Sequence, residues 1–226
     1  LHKEYRRQRQ MCIRDSFKNA VVYNISSDET LPSEIYAAPT SKKAIAIEID
    51  VSNNSSAGVT VTTLLEDESQ GASTDLSITN VAGVNGSTDS VFTTASNHGY
   101  AVNDRIRFNQ SAGTAPGGIT GGAEGTGKIY YVSSVDSVTQ FKAAISRSSS
   151  THIQCSSAGS SPAVRKLYIA TVVRNAPVPV GSTLKVISGQ KLVLESSSAT
   201  VHDKILAWCS SANNVDCIAS VLEDVS

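Results

Sequence analysis

Ala44-Ile45-Ala46-Ile47-Glu48-Ile49-Asp50-Val51, followed by Val59-Thr60-Val61-Thr62-Thr63-Leu64-Leu65, is the stretch that decides the fold. Ile45, Ile47, Ile49 and Val51 fall on one face of a period-two pattern, with Ala46, Glu48 and Asp50 on the other. That alternation is the mark of a strand with one buried face. Asn53-Asn54-Ser55-Ser56-Ala57-Gly58 lies between the two segments. Asn, Ser and Gly supply the local hydrogen bonds and backbone freedom of a turn. The pair predicts an antiparallel hairpin.

The same style extends in both directions. Residues 20–25 read as a first short strand, Ser26-Ser27-Asp28-Glu29-Thr30 as a polar turn, and Ile35-Tyr36 as an element limited by Pro39, which lacks a ladder N–H. Residues 167–173 read as a strand. Asn175-Ala176-Pro177-Val178-Pro179-Val180-Gly181 follows as a proline-marked connection, best placed at a sheet edge. Short strands are expected around residues 184–187 and 191–194. Residues 204–209 and 215–222 are expected to form a last hairpin across Ser210-Ser211-Ala212-Asn213-Asn214.

The chain of 226 residues holds 35 Ser, 18 Thr and 23 Val, and no segment of ten residues has convincing helical periodicity. Val and Thr suit strands, and Ser, Gly and Asn suit turns. No run of 18 apolar residues predicts a membrane span. With 19 Lys and Arg against 20 Asp and Glu, the chain lacks the basic excess of a dedicated nucleic-acid binder. The expectation is no nucleic-acid partner and no membrane partner.

Residues 75–160 are richer in Gly, Ser and Thr and poorer in long aliphatic side chains. Strands are expected at 90–94, 105–108, 128–135 and 140–145, with Asn85-Gly86 as a tight-turn signal. The expected fold class is all-β: an antiparallel β-sandwich (jelly-roll-like) of residues 17–74 and 161–226, with a small β-barrel module, 75–160, inserted into one of its loops. Insertions at exposed loop tips are tolerated when their ends lie close together.

Residues 1–16, LHKEYRRQRQMCIRDS, differ abruptly in composition from the rest of the chain, with five basic groups against two acidic ones. No apolar stretch succeeds them, as a signal peptide requires. The string MCIRDS preceded by YRRQRQ resembles translated sequencing-adapter sequence that recurs at the ends of metagenome-derived proteins. The expected natural start lies near Ser16, and a basic nucleic-acid arm is the weaker alternative.

Chemical motifs are sparse. Gly122-Ala123-Glu124-Gly125-Thr126-Gly127-Lys128 has the outline of a phosphate loop, but Ile129 replaces the required Ser or Thr and a strand follows instead of a helix. His2, His98, His152 and His202 form no zinc-type spacing with cysteines. No metal and no cofactor is expected. Cys209 and Cys217 are equidistant from Asn213, which leaves a cross-strand disulfide or two small apolar core residues, the second being the default for free cysteine. Glu66-Asp67-Glu68 reads as solvated turn charge, and no Gly-x-Ser-x-Gly elbow occurs. No catalytic residue is assigned, and the expectation is no enzyme. Tyr100, Tyr130, Tyr131 and Trp208 are the residues that offer weak surface contacts.

Two resemblances carry the functional expectation. Ile35-Tyr36-Ala37-Ala38-Pro39-Thr40-Ser41-Lys42-Lys43-Ala44-Ile45-Ala46-Ile47, Val51-Ser52-Asn53, Val59-Thr60-Val61, Arg174-Asn175-Ala176-Pro177-Val178-Pro179-Val180-Gly181-Ser182, Ile187-Ser188-Gly189-Gln190-Lys191-Leu192-Val193-Leu194-Glu195 and Ala219-Ser220-Val221-Leu222-Glu223 together resemble small virion structural proteins of tailed bacteriophages. Ser196-Ser197-Ser198 stands where that group often has a Gly-Asp turn. Val91-Phe92-Thr93-Thr94, Asn97-His98-Gly99-Tyr100-Ala101-Val102-Asn103-Asp104-Arg105-Ile106-Arg107-Phe108, Gly127-Lys128-Ile129-Tyr130-Tyr131-Val132 and Gln140-Phe141-Lys142 are similar to a small β module repeated in phage tail and fibre proteins. Asn103 replaces its common glycine.

The resemblances imply a non-enzymatic virion component (capsid decoration, neck or tail-associated) that works through protein–protein contacts. Its partners would be other virion proteins and further copies of itself. A receptor- or glycan-binding tail or fibre adhesin, recognising a host surface glycan, is the alternative.

Overall fold

The computed structural model describes residues 16–68, 75–109, 113–121, 127–197, 201–211 and 214–223. The fold is all-β, with three sheets in antiparallel strand order. The strands are β1 (Ser16–Val22), β2 (Ser33–Ala37), β3 (Lys43–Asn53), β4 (Val59–Glu66), β5 (Leu76–Ala82), β6 (Val91–Thr94), β7 (Arg105–Asn109), β8 (Ile129–Val135), β9 (Gln140–Ala144), β10 (Ala163–Leu167), β11 (Ile169–Val178), β12 (Thr183–Ile187), β13 (Leu192–Glu195), β14 (Lys204–Cys209) and β15 (Val215–Glu223). The chain divides into two compact units, 1–71 with 169–226, and 72–168.

In the first unit one sheet runs β1-β15-β3-β12, with β13 also on β3, and the other runs β11-β4-β14-β2. Both contribute to a single core: Ala44, Ala46, Ile49 and Val51 of β3 and Cys217, Ala219 and Val221 of β15 meet Val61 of β4 and Ile205, Ala207 and Cys209 of β14. At about 1.5–3 kcal/mol for each fully buried large aliphatic side chain, this core is the main stabilising term.

The two expected hairpins are not formed. β3 pairs with β15, β12 and β13, whereas β4 pairs with β11 and β14. Likewise β14 and β15 lie in different sheets. The first turn is an arch that carries the chain from one sheet to the other; residues 212 and 213 of the second lie outside the described residues, between strands of different sheets. Asn53 fixes the first arch from inside. It is fully buried, its Nδ2 donates to the carbonyls of Ala57 and Val178 at 2.8 and 2.9 Å, and its Oδ1 accepts from the Ser55 N–H at 2.9 Å. A side chain that satisfies backbone groups of the arch and of β11 in the facing sheet stabilises the crossing, because buried polar groups need partners.

The expected buried face of β3 also changes partway. Ser220 of β15 faces Glu48 while the next residue, Val221, faces Ala46. Ile47 is therefore an extra residue, a β-bulge, and a bulge shifts the side-chain phase by one. Ala44 and Ala46 point inward with Ile49 and Val51, and Ile45 and Ile47 are only half-buried on the outer face.

β4 and β11 are direct neighbours, with Glu66 opposite Ile169. The chain leaves this sheet after Glu66 and re-enters it beside the same residue. β11 reads as one strand through Pro177, with two register shifts, and lies at its sheet's edge, where proline is tolerated.

The second unit has six strands joined in the cyclic order β10-β5-β6-β9-β8-β7. β10 pairs with both β7 and β5. The expected boundary after residue 160 moves to Tyr168 for this reason. The expected strand at 167–173 is in fact the end of β10 and the start of β11, parted by Tyr168. The core of this unit is aromatic: Phe92 lies 5.0 Å from Phe108 and 5.4 Å from Phe141, and Phe108 lies 5.6 Å from Tyr130. These separations suit offset and edge-to-face ring packing.

Candidate functional site

The residues nominated as surface contacts separate on burial. Tyr100 and Tyr130 are core residues, 8% and 2% exposed, so neither presents a ring to a ligand. The reason is strand phase. Tyr130 and Val132 share the inner face of β8, and Tyr131 takes the outer one. The Tyr130 hydroxyl accepts the Thr120 N–H at 2.8 Å. Tyr131 and Trp208 are half-buried, the first in the second unit and the second on β14 of the first.

The segment His98 to Phe108 spends its polar chemistry on the backbone. His98 Nδ1 accepts the Tyr100 N–H at 2.9 Å, which leaves the ring proton on Nε2, 3.1 Å from the Ser137 carbonyl. The ring also stacks on Tyr100 at 4.7 Å and meets the edge of Phe141 at 5.6 Å. Asn103 sits at φ 73°, in the left-handed region that favours glycine. Its N–H donates to the Val132 carbonyl at 2.7 Å, and its Oδ1 accepts the Ser148 N–H at 2.8 Å. Asp104 Oδ2 accepts from the Ala101 N–H at 2.8 Å and from Lys166 Nζ at 2.6 Å. His98, Asn103 and Asp104 are thus turn and tie residues. Burial, then the nearby charges of Asp75 and Asp104, push the Tyr100 phenol above its ordinary range.

One constellation has no sequence signal. Ser133 Oγ lies 2.7 Å from His152 Nδ1, and His152 Nε2 lies 3.8 Å from Asp89 Oδ2, which also faces Lys142 Nζ at 3.9 Å. Serine, histidine and aspartate are the parts of a nucleophilic triad. In a working triad both contacts are hydrogen bonds, within about 2.6–3.2 Å and often looser without substrate. Here the second contact is too long, and the Asp89 side chain is 43% exposed. The arrangement is a half-buried hydrogen-bonded pair beside Asp89 and Lys142.

The acidic segment departs from the solvated reading. Glu66 is fully buried and Glu68 nearly so. Glu66 faces Lys204 on β14, itself buried, whose Nζ lies 3.7 Å from Glu34. Tyr36 Oη donates to Glu223 Oε1 at 3.0 Å, and Lys18 pairs with the other oxygen at 2.6 Å. Cys155, Cys209 and Cys217 are free and buried. Cys209 and Cys217 sit on different sheets within one core, so the small-core-residue reading holds and the disulfide does not. Burial and then the charge of Asp50 push the Cys217 thiol up to about 12.

Among the described residues, no three His, Cys, Asp or Glu side chains assemble a metal-holding group, and no helix is long and apolar enough to cross a membrane. Part of the phosphate-loop-like stretch, 122–126, lies outside the described residues, as do residues 1–15, which hold all of the adapter-like string but Ser16, the first residue of β1. Lys128 leads directly into β8. Comparison with protein-family models, with curated proteins and with solved structures finds no match.

Proposed function

We propose that this chain is a structural component of a tailed-bacteriophage virion, a capsid decoration, neck or tail-associated protein, and that it works through protein–protein contacts without catalysis. The reading rests on the two resemblances in residues 17–70 with 163–226 and in residues 91–142. The observation that carries it furthest is the use made of His98, Asn103 and Asp104. The most chemically suggestive stretch of the sequence is consumed by turn geometry and core packing, which is how a motif that specifies a fold behaves. The finer architecture belongs to the same proposal. The first unit is a jelly-roll-like sandwich, whose strands alternate between sheets through arches, and the second is a small β-barrel inserted at the β4–β11 loop. Homo-oligomerisation and a place in the particle are its expected partners and localisation.

The adhesin alternative loses two of its four aromatic platforms to the core and keeps Tyr131 and Trp208. Mass spectrometry and immunogold labelling of purified particles test the proposal. Presence at stoichiometric copy number supports it, and absence from particles ends it. Tight, sugar-specific retention on a glycan array would favour the adhesin instead.

A further inference from the structure

The bulge at Ile47 has an external consequence. It turns Ile45 outward, where it joins a line of apolar residues across four strands. Val193 of β13 faces Ile45 of β3, Ile45 faces Leu222 of β15, and Leu222 faces Phe17 of β1. Phe17 is 75% exposed and Val193 53%. Two steps along β15 from Leu222 by way of Ser220, Ile218 faces Val21 of β1, and both are about 40% exposed. One apolar row of four residues and a shorter one, Ile218 with Val21, which ends at Asp50 on β3, therefore reach the edge at β1.

β1 is the last strand of that sheet among the described residues. Its register with β15 is unbroken over seven residues, and it contains no proline. Natural edge strands are usually blunted by a bulge, a proline or an inward charge; β1 has neither of the first two, and its inward-face charge, Lys18 beside Ala20 and Val22, is neutralised by Glu223, which leaves the edge open to another strand.

We propose that β1 pairs antiparallel with β1 of a second copy of this chain about a two-fold axis through Asn19, which makes one continuous sheet across the dimer. This rests on reading the chain as a contact protein. The argument for a second copy, over any other strand, is self-complementarity. Phe17 and Val21 stand symmetrically two residues either side of Asn19. The axis through Asn19 sets Phe17 beside the partner's Val21, and Val21 beside the partner's Phe17. Each apolar row then continues across the boundary into its counterpart. A two-fold contact of this kind is closed and isologous. The charges agree. Lys18 comes opposite the partner's Ala20, so like charges do not meet, and each Lys18 is already paired with Glu223. At the β1 border itself the one charge, Lys18, is already held by Glu223, which favours an apolar, neutral strand such as β1.

The test uses the full chain in a Cys12→Ser background. Asn19→Cys brings two thiols to directly opposed positions, where the Cα separation suits a disulfide, whereas Lys18→Cys leaves its pair roughly 8 Å apart. On mild oxidation Asn19→Cys is expected to form a covalent dimer about tenfold faster than Lys18→Cys. By sedimentation equilibrium the parent is expected to be a dimer, and Phe17→Lys combined with Val21→Lys is expected to be a monomer with an unchanged circular-dichroism spectrum. A parent that stays monomeric across the concentration range overturns the interface. So does equal cross-linking of the two cysteine variants, which stands whether or not the double-lysine variant folds. Absence of the protein from particles would sink the virion reading alone, since the cross-linking register does not depend on it.

Discussion

Glu66 and Lys204 are directly opposed on neighbouring strands β4 and β14, and both are buried. Opposite charges facing each other at a dry position favour each other, and losing one is expected to cost up to about 3–5 kcal/mol, with Lys204 keeping its contact to Glu34 at 3.7 Å. Glu66→Leu and Lys204→Met are each expected to lower stability by that order in urea titration. The double variant is expected to recover most of the loss. Additive losses would show that the two charges do not act on each other.

Glu66 also faces Ile169 across β4 and β11, so the chain between them begins and ends at adjacent points. Excision of residues 67–168, with Glu66 and Ile169 joined by Asn-Gly, is expected to leave a cooperatively melting first unit. Two residues of this type close an antiparallel pair in a favoured turn. Loss of the cooperative transition by calorimetry would show that the first unit needs the second.

Tyr36 and Tyr100 predict alkaline sensitivity. Burial, then the hydrogen bond to Glu223 and its charge, raise the Tyr36 phenol above its ordinary range; burial leads at Tyr100 too. A folded-state value above the unfolded value means stability that is complete below about pH 10 and declines as pH rises beyond it, by at most ~1.4 kcal/mol per pH unit for each phenol. Thermal melts from pH 8 to 11 are expected to be flat and then fall. Tyr36→Phe is expected to soften the fall while costing about 1 kcal/mol at neutral pH. A fall of equal steepness in the variant would remove Tyr36 from the account.

Asn103 tests backbone against side chain. Glycine would relieve the left-handed conformation but lose the acceptor for the Ser148 N–H. The two effects oppose, so Asn103→Gly is expected to fall within about 1 kcal/mol of the parent, and Asn103→Ala, which loses the bond and keeps the strain, is expected to cost about 1–2 kcal/mol. Equal melting of the two variants would refute this division.

Cys217, held up to about 12 by burial and Asp50, lacks the thiolate that reacts with disulfide reagents. In a Cys12→Ser protein, its labelling is expected to follow global unfolding, with a rate that rises with urea in step with the unfolding transition. Fast labelling in buffer would place this thiol at the surface.

Strand existence is readable along most of the chain because alternation is a local property; partnership is not. Nothing in Asn53 to Gly58 distinguishes an arch from a hairpin, since both use the same turn residues. The difference lies in the contact of Asn53 with the distant Val178 carbonyl. The bulge is invisible for a similar reason: Ile47 fits a perfect alternation, and only the pairing with β15 ejects it. β5 and β10 leave little trace in the sequence because β5 buries only Ile78 and Val81 fully, and β10 carries Arg165 and Lys166 at its centre. The burial of Tyr130 is legible in its phase with Val132. The Ser133–His152 pair joins residues 19 apart through tertiary structure alone.

The arch also sets an order of assembly on the ribosome. β3, the middle strand of its sheet, draws its hydrogen-bonded neighbours among the described residues from residues 183–223, so its sheet has to wait until those residues have been made. The second unit is contiguous, 72–168, and can close while the rest is still being made. Non-local pairing is slow, and domains that emerge early fold early. The second unit is therefore expected to fold before the first, whose sheets need the strands on both sides of Glu66 and Ile169.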